Sequence, residues 1–231
     1  MSSTIIFVYT CTKYEETRAK KIESTWGNKD NVVFLTDNPN SSLKNNIYLG
    51  PYREFAIHPE IMKKIFKLFI ENYSNYNIFG KHYDWFMLID DDSYLYTDTL
   101  DKYLEFQDKD DCIMIGDFLN WNSNPKWKYE LTYDYWPGGG AGIVFTKKCI
   151  LTFIQLSNTY NGPITNHDHW LHLLFLSSDK KSIKRIHCCG FHQSIKHISE
   201  EELNNKSKNL LISIHFQHNM ELLDKFHNLY V

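Results

Sequence analysis

Four short, strongly apolar segments mark the first half of the chain and constrain its fold more than any other feature. Residues 3–9 (STIIFVY), 31–36 (NVVFLT), 84–89 (DWFMLI) and 112–116 (CIMIG) are runs of β-branched, aromatic and aliphatic residues with little polar interruption. A strand with one face in water alternates apolar and polar residues. A continuous apolar run must be covered on both faces, as strands inside a parallel sheet are. The intervening segments supply the covers. Residues 15–26 read as a polar helix ending near Gly27, and residues 97–106 as another. Residues 59–76 set Ile61, Ile65, Leu68 and Phe69 at helical spacing behind Pro59 and Glu60. Such alternation predicts an α/β fold whose mostly parallel central sheet has residues 3–9 as an internal or near-internal strand.

The second half changes character. Residues 118–136 hold Trp121, Trp127, Tyr129, Tyr133, Tyr135 and Trp136 among polar residues, a pattern for an aromatic-lined loop or a small antiparallel addition. Gly138-Gly139-Gly140-Ala141-Gly142 then leads into a strand that feeds a helix. Residues 168–176 read as a helix, 182–187 and 210–216 as strands, and 219–230 as a closing helix. With no repeat and no linker, one continuous domain is expected.

Composition excludes several classes. Fifteen Phe, fifteen Tyr and six Trp in 231 residues provide a real core and exclude disorder. Lys+Arg 25 against Asp+Glu 28 leaves no basic excess for a nucleic-acid backbone. No apolar run approaches the ~20 residues that a bilayer helix needs, and the first residues lack the basic start of a secretory signal. The expected compartment is the cytoplasm if the chain is whole, or a secretory lumen if an N-terminal anchor precedes it. Five cysteines are too few for a disulfide scaffold, and the adjacent Cys188 and Cys189 should not pair.

Asp90-Asp91-Asp92 is the strongest chemical signal. The triplet ends an apolar strand, where open α/β sheets place their ligands. Three clustered carboxylates repel one another, which is best tolerated if a cation neutralises them, and oxygen donors suit a divalent ion, Mg²⁺ or Mn²⁺. An acidic, solvated turn is the plainer reading. The glycine run is either a ligand cradle or a simple bend; it matches neither a P-loop nor a dinucleotide fingerprint. Asp168 is either the N-cap of its helix or a general base. His215, in LISIHFQH, is either a satisfied core imidazole or the nitrogen ligand that completes a carboxylate metal site. Arg18 reads equally well as a phosphate contact or a residue on a helix surface. His169, His172, His187 and Cys188 match no structural-zinc spacing.

Taken in order, these pieces resemble the Fringe and core-1 β1,3-galactosyltransferase group of inverting GT-A glycosyltransferases. Thr17-Arg18 with Thr25-Trp26-Gly27 is similar to the family's early T-R…T-W segment, and Thr36-Asp37 closes a stretch like its F-x-T-D. Asp84-Trp85-Phe86 running into Asp90-Asp91-Asp92-Ser93-Tyr94 resembles W-F…D-D-D-[TN]-Y. Gly139-Gly140-Ala141-Gly142 matches G-G-A-G, Phe191-His192 a later F-H, and Ser213-Ile214-His215-Phe216 the terminal S-[FI]-H-[YF].

The resemblance implies a GT-A fold over residues 1–231, with 1–117 as the nucleotide-binding half and 118–231 as the acceptor-binding half. It implies Mn²⁺ held by Asp92 and His215, and Asp90 and Asp91 beside the ribose and diphosphate of a UDP-sugar. Asp37 would lie near the uracil, Arg18 near the nucleotide, and Gly139 and Gly140 against the donor. Asp168 would be the base that activates a glycan or glycoprotein hydroxyl, giving inverting transfer of a hexose or N-acetylhexosamine into a β1,3 linkage. Two departures stand out: His167 occupies the first position of the family's acidic pair, and His172 the place of a following glycine. The rival classes are a non-catalytic carbohydrate- or nucleotide-binding protein that keeps the metal site, and a metal-dependent phosphohydrolase.

Overall fold

The computed structural model describes residues 3–52, 59–75, 82–119, 135–162, 166–179, 182–198 and 211–230. Strands β1 (Thr4–Tyr9), β2 (Val32–Thr36), β3 (Asn46–Tyr48), β4 (Trp85–Asp90), β6 (Ile113–Gly116), β9 (Ile143–Thr146) and β10 (Lys184–His187) form a seven-stranded sheet ordered β10-β6-β9-β4-β1-β2-β3. β1 is internal, flanked in parallel by β2 and β4. Only β9 runs against its neighbours, wedged antiparallel between β4 and β6. The expected mostly parallel sheet is present.

The apolar runs are continuous because alternate residues enter different cores. On one face Ile5, Phe7 and Phe86 pack under α2 (Pro59–Asn75), α4 (Lys147–Thr159) and α5 (His167–Ser177), where Phe66, Phe69, Phe153 and Trp170 are buried. On the other, Ile6, Val8, Met87 and Ile89 meet Ile22 and Trp26, with Leu100 from α3 (Thr97–Leu104) and Phe226 from α6 (Glu221–Tyr230).

A second, three-stranded sheet joins β5 (Ser93–Leu95), β11 (Phe191–His192) and β12 (Ser213–His215) in the order β11-β12-β5. β12 is antiparallel to β5, with His215 opposite Ser93. The segment 210–216 therefore yields a short strand that leaves the main sheet altogether. A two-stranded ribbon pairs β7 (Phe118–Leu119) with β8 (Trp136–Pro137), the small antiparallel addition expected there. Trp121, Trp127, Tyr129 and Tyr133 lie outside the described residues.

Three further differences have local causes. Residues 15–26 do not make one helix: a π-helical turn, Glu15–Ala19, precedes a single α-helical turn, α1 (Lys20–Glu23). The wide turn accompanies a buried Glu15, whose carboxylate accepts hydrogen bonds from Asn38 Nδ2 (2.9 Å) and Ser42 N (3.1 Å). Residues 46–48, a stretch with no strand signal, form the edge strand β3. The N-cap of α5 is Asn166, so Asp168 lies inside the first turn, and the capping reading of Asp168 is corrected.

Candidate active site

Chain direction brings the chemistry to one edge of the sheet. Tyr9 and Asp90 are register partners at the carboxyl ends of β1 and β4, so Thr10 and Asp91 follow side by side. Because β9 is antiparallel, its entry, the glycine run, arrives at that same edge, with Asp90 N donating to Gly140 O (3.4 Å). β9 then runs away from the edge and α4 carries the chain back. The first turn of α5 thus faces the carboxylates across a cleft of about 280 Å³. Arg18, Asp90, Asp91, Asp92, Gly139, Gly140, Asp168 and His215 all line it.

Each carboxylate has a different setting. Asp91 accepts hydrogen bonds from Thr10 Oγ1 (2.6 Å) and Arg18 Nη1 (3.2 Å), and burial still pushes it up to about 6. Asp92 receives His215 Nε2 (3.1 Å), Arg18 Nη1 (3.4 Å) and the backbone N–H of His218 (2.9 Å). Burial alone would raise Asp92, but the hydrogen bond and charge of His215, together with Arg18, outweigh it and hold Asp92 at about 2. Asp90 has no such cation to itself. Desolvation, then repulsion from Asp92, lift it to about 7. Burial works against a charged His215, yet Asp92 wins and raises it.

The donor atoms of Asp90, Asp92 and His215 lie within 4.8 Å of one another. Two hard oxygens and one imidazole suit Mn²⁺ or Mg²⁺, and a carboxyl lifted to about 7 is a group that gains from an adjacent cation. The residues present therefore fit a divalent ion.

The glycines are explained by side chains as much as by the cleft. A Cβ on Gly139 would fall inside the His167 imidazole, and one on Gly140 inside that of His215. Only glycine lets both rings lie on this turn. His167 is buried and its burial lowers its pKa, keeping it neutral; among the described residues its Nδ1 has no hydrogen-bond partner.

The Fringe-like family model matches residues 1–229. The chain belongs to the Fringe-like family. Among solved structures, this Fringe-like protein is similar to an active-site mutant of LgtC, with a TM-score of 0.50 and 11% identity over 96% of this chain and 95% of that one. It is likewise similar to the apo form of the glycosyltransferase GlyE of Streptococcus pneumoniae TIGR4, with a TM-score of 0.50 and 11% identity over 97% of this chain and 60% of that one. These neighbours have the GT-A fold, and so does this protein. A search of the curated proteins finds no match. Family and fold together support glycosyl transfer.

Against that background the sequence-predicted residues fall into three groups. Asp90, Asp92 and His215 converge, with Gly139, Gly140 and Asp168 around the same cleft. Arg18 is neither on a helix surface nor aimed at open solvent: it is buried, paired with Asp91 and Asp92, with its guanidinium 3.6 Å from the centroid of the Tyr14 ring. Asp37 is not in the cleft lining; it accepts from Thr12 N (2.6 Å) and Thr12 Oγ1 (2.8 Å) beyond the end of β2.

Sequence reasoning missed Thr10, Tyr14, Gln193 and His218, which also line the cleft. His218 carried one signal, its place three residues after His215. It follows Gln217 in a turn where both take positive φ (75° and 51°), strain typical of functional loops. Gln193 directly follows the Phe191-His192 pair without belonging to it, and Thr10 and Tyr14 stand at positions that no motif marks.

Proposed function

We propose that this Fringe-like protein transfers a hexose or N-acetylhexosamine from a UDP-sugar to a sugar hydroxyl of a glycan or glycoprotein, with inversion and in a β1,3 linkage. The observation that carries this reading is a shared cleft: the Asp90–Asp92–His215 cluster and the Asp168 carboxylate line the same cavity. Residues 1–117 would take the nucleotide and residues 118–231 the acceptor, within one catalytic domain. Asp92 and His215, with Asp90 beside them, would hold Mn²⁺ or Mg²⁺, which when bound neutralises charge on the diphosphate leaving group. Thr10 and Arg18 keep Asp91 fixed, and the glycine run leaves room for the donor.

Asp168 then acts as the base. As the acceptor oxygen attacks the anomeric carbon, its proton passes to the Asp168 carboxylate. The bond from that carbon to the diphosphate breaks on the opposite face, and UDP leaves with the bonding pair. One displacement needs one base and no covalent nucleophile.

The test is UDP release from a panel of UDP-sugars with Mn²⁺ and mixed glycan acceptors. Acceptor-dependent release is expected for one donor, falling by ~10²-fold or more in Asp168→Asn while donor and Mn²⁺ binding persist. UDP release that no acceptor increases would favour hydrolysis or simple binding. Full activity in Asp168→Asn with loss in His167→Ala would transfer the base to the histidine.

A further inference from the structure

Gln193 belongs to no motif, yet it is buried, lines the cleft and is bonded to the glycine run, to Asp117 and to His215. Its side-chain amide brackets the glycine run: Nε2 donates to Gly138 O (2.7 Å), and Oε1 accepts from Ala141 N (3.3 Å). One amide thus satisfies an acceptor and a donor at the two ends of a segment that has no sheet partner there. The run is further held by Ser93 Oγ donating to Gly140 O (2.7 Å) and Ser213 Oγ to Ala141 O (2.5 Å). The backbone of Gln193 is fixed in turn, because its N–H donates to Asp117 Oδ2 (3.3 Å).

The carbonyl of Gln193 is the decisive atom. It lies 3.2 Å from His215 Nδ1, while Nε2 of the same ring is 3.1 Å from Asp92 Oδ1. A carbonyl only accepts, so Nδ1 must carry a proton, and Nε2 is left as the atom facing Asp92. Gly140 lies against the same ring, where a Cβ would overlap it. Ring orientation, proton position and glycine run are therefore all referred to one residue.

We propose that Gln193 is the positioning residue of this site, fixing His215 with Nδ1 protonated and Nε2 toward Asp92, and tying that ring to the glycine run. This rests on the reading of His215 as a metal ligand, where a partner on the second ring nitrogen typically tunes affinity by 10–100-fold. Gly138→Ala probes the same contact from the other side. Its backbone suits alanine, but the new Cβ would fall on the Gln193 side chain.

The experiment compares wild type, Gln193→Ala and Gly138→Ala by Mn²⁺ affinity, read from the electron paramagnetic resonance of free Mn²⁺ without nucleotide. It adds the ¹⁵N-resolved imidazole signals of His215, with and without Mg²⁺, assigned through His215→Ala. In wild type the Nδ1 proton should be present in both states and protected from exchange. Both variants should lose that protection and bind Mn²⁺ roughly tenfold or more weakly. An unprotonated Nδ1 in wild type, or full protection and unchanged Mn²⁺ affinity in folded variants, would overturn the proposal. If wild type binds no Mn²⁺, the metal reading fails, and proton protection alone decides whether Gln193 positions His215. If both variants fail to fold, the protonation state in wild type decides it.

Discussion

Gly140→Ala is the sharpest test of whether the glycine run is a built part of the site or only a bend. Gly140 does not have the positive φ that would penalise alanine directly, so the effect must come through space. The new Cβ would overlap Nδ1, Cε1 and Cγ of His215. The ring cannot retreat and keep both its contacts, 3.1 Å to Asp92 and 3.2 Å to the Gln193 carbonyl. Overpacking of this kind costs ~1–3 kcal/mol. Losing a hydrogen bond to an ionised carboxylate in a buried setting adds about 1.5–3 kcal/mol. We expect a destabilisation of about 3–5 kcal/mol in urea unfolding, with Mn²⁺ affinity down at least ~10-fold. Gly162→Ala is the control, because its Cβ meets only the phenol end of the Tyr160 side chain; a change within ~0.5 kcal/mol is expected. A Gly140→Ala protein within ~1 kcal/mol of wild type that binds Mn²⁺ normally would mean that His215 is not fixed where it lies.

The remaining expectations concern charge and packing. Asp90, lifted to about 7 by desolvation and by Asp92, must lose its proton to meet a cation, so Mn²⁺ affinity should fall below about pH 7; calorimetry in buffers of differing ionisation enthalpy should detect the released proton, and affinity that stays flat from pH 5.5 upward would contradict this. Asp117 is raised by burial from 3.8 to about 6, so the folded state holds a proton that the unfolded chain has already lost, and stability should decline as pH rises from ~4 through ~6. Asp117→Asn should remove about 2–3 kcal/mol of that decline in thermal or urea unfolding; an unchanged pH profile would assign it elsewhere. Phe66 packs against Phe86, Phe145 and Phe153 with ring centroids 6.2, 5.4 and 6.2 Å apart, and Phe66→Ala should cost ~3–5 kcal/mol, a loss below ~1 kcal/mol marking that face as loosely packed.

What the sequence made legible follows from where the physics is local. An apolar run such as 84–89 has to be a covered strand, and the acidic triplet must leave it at the sheet edge, so the carboxylate wall could be placed without coordinates. Arg18 shows the limit. A cation on a polar helical stretch carries no mark of facing inward, and only the π-helical turn, with its buried Glu15, swings it toward Asp91. The pairing of β5 with β12 is illegible for another reason. Ser93 and His215 are register partners far apart in sequence, joined by two short strands whose residues state no preference for each other. The family motif located His215, but nothing in its neighbours named Gln193, whose acting atom toward His215 is a backbone carbonyl that every residue possesses.

The charges explain why these parts form a unit. Arg18 Nη1 serves both Asp91 and Asp92, at 3.2 and 3.4 Å, and His215 adds a second positive neighbour, bonded to Asp92 at 3.1 Å and acting on Asp90 through its charge. Asp92 is thereby held ionised at about 2, while Asp90, two residues earlier in the chain, is left to take up a proton near neutrality. The wall is thus one positive charge short at the point where the glycine run opens the cleft. A cation held there reverses the deficit, and a diphosphate would restore balance on its other side. Arg18, already shared by two carboxylates, is better placed to hold the wall rigid than to receive the diphosphate itself. Rigidity matters here because stabilisation of a leaving group depends on charges fixed before the bond breaks. The arginine, the glutamine and the glycines thus act together: they keep three repelling acids and one imidazole in an arrangement that a cation would complete.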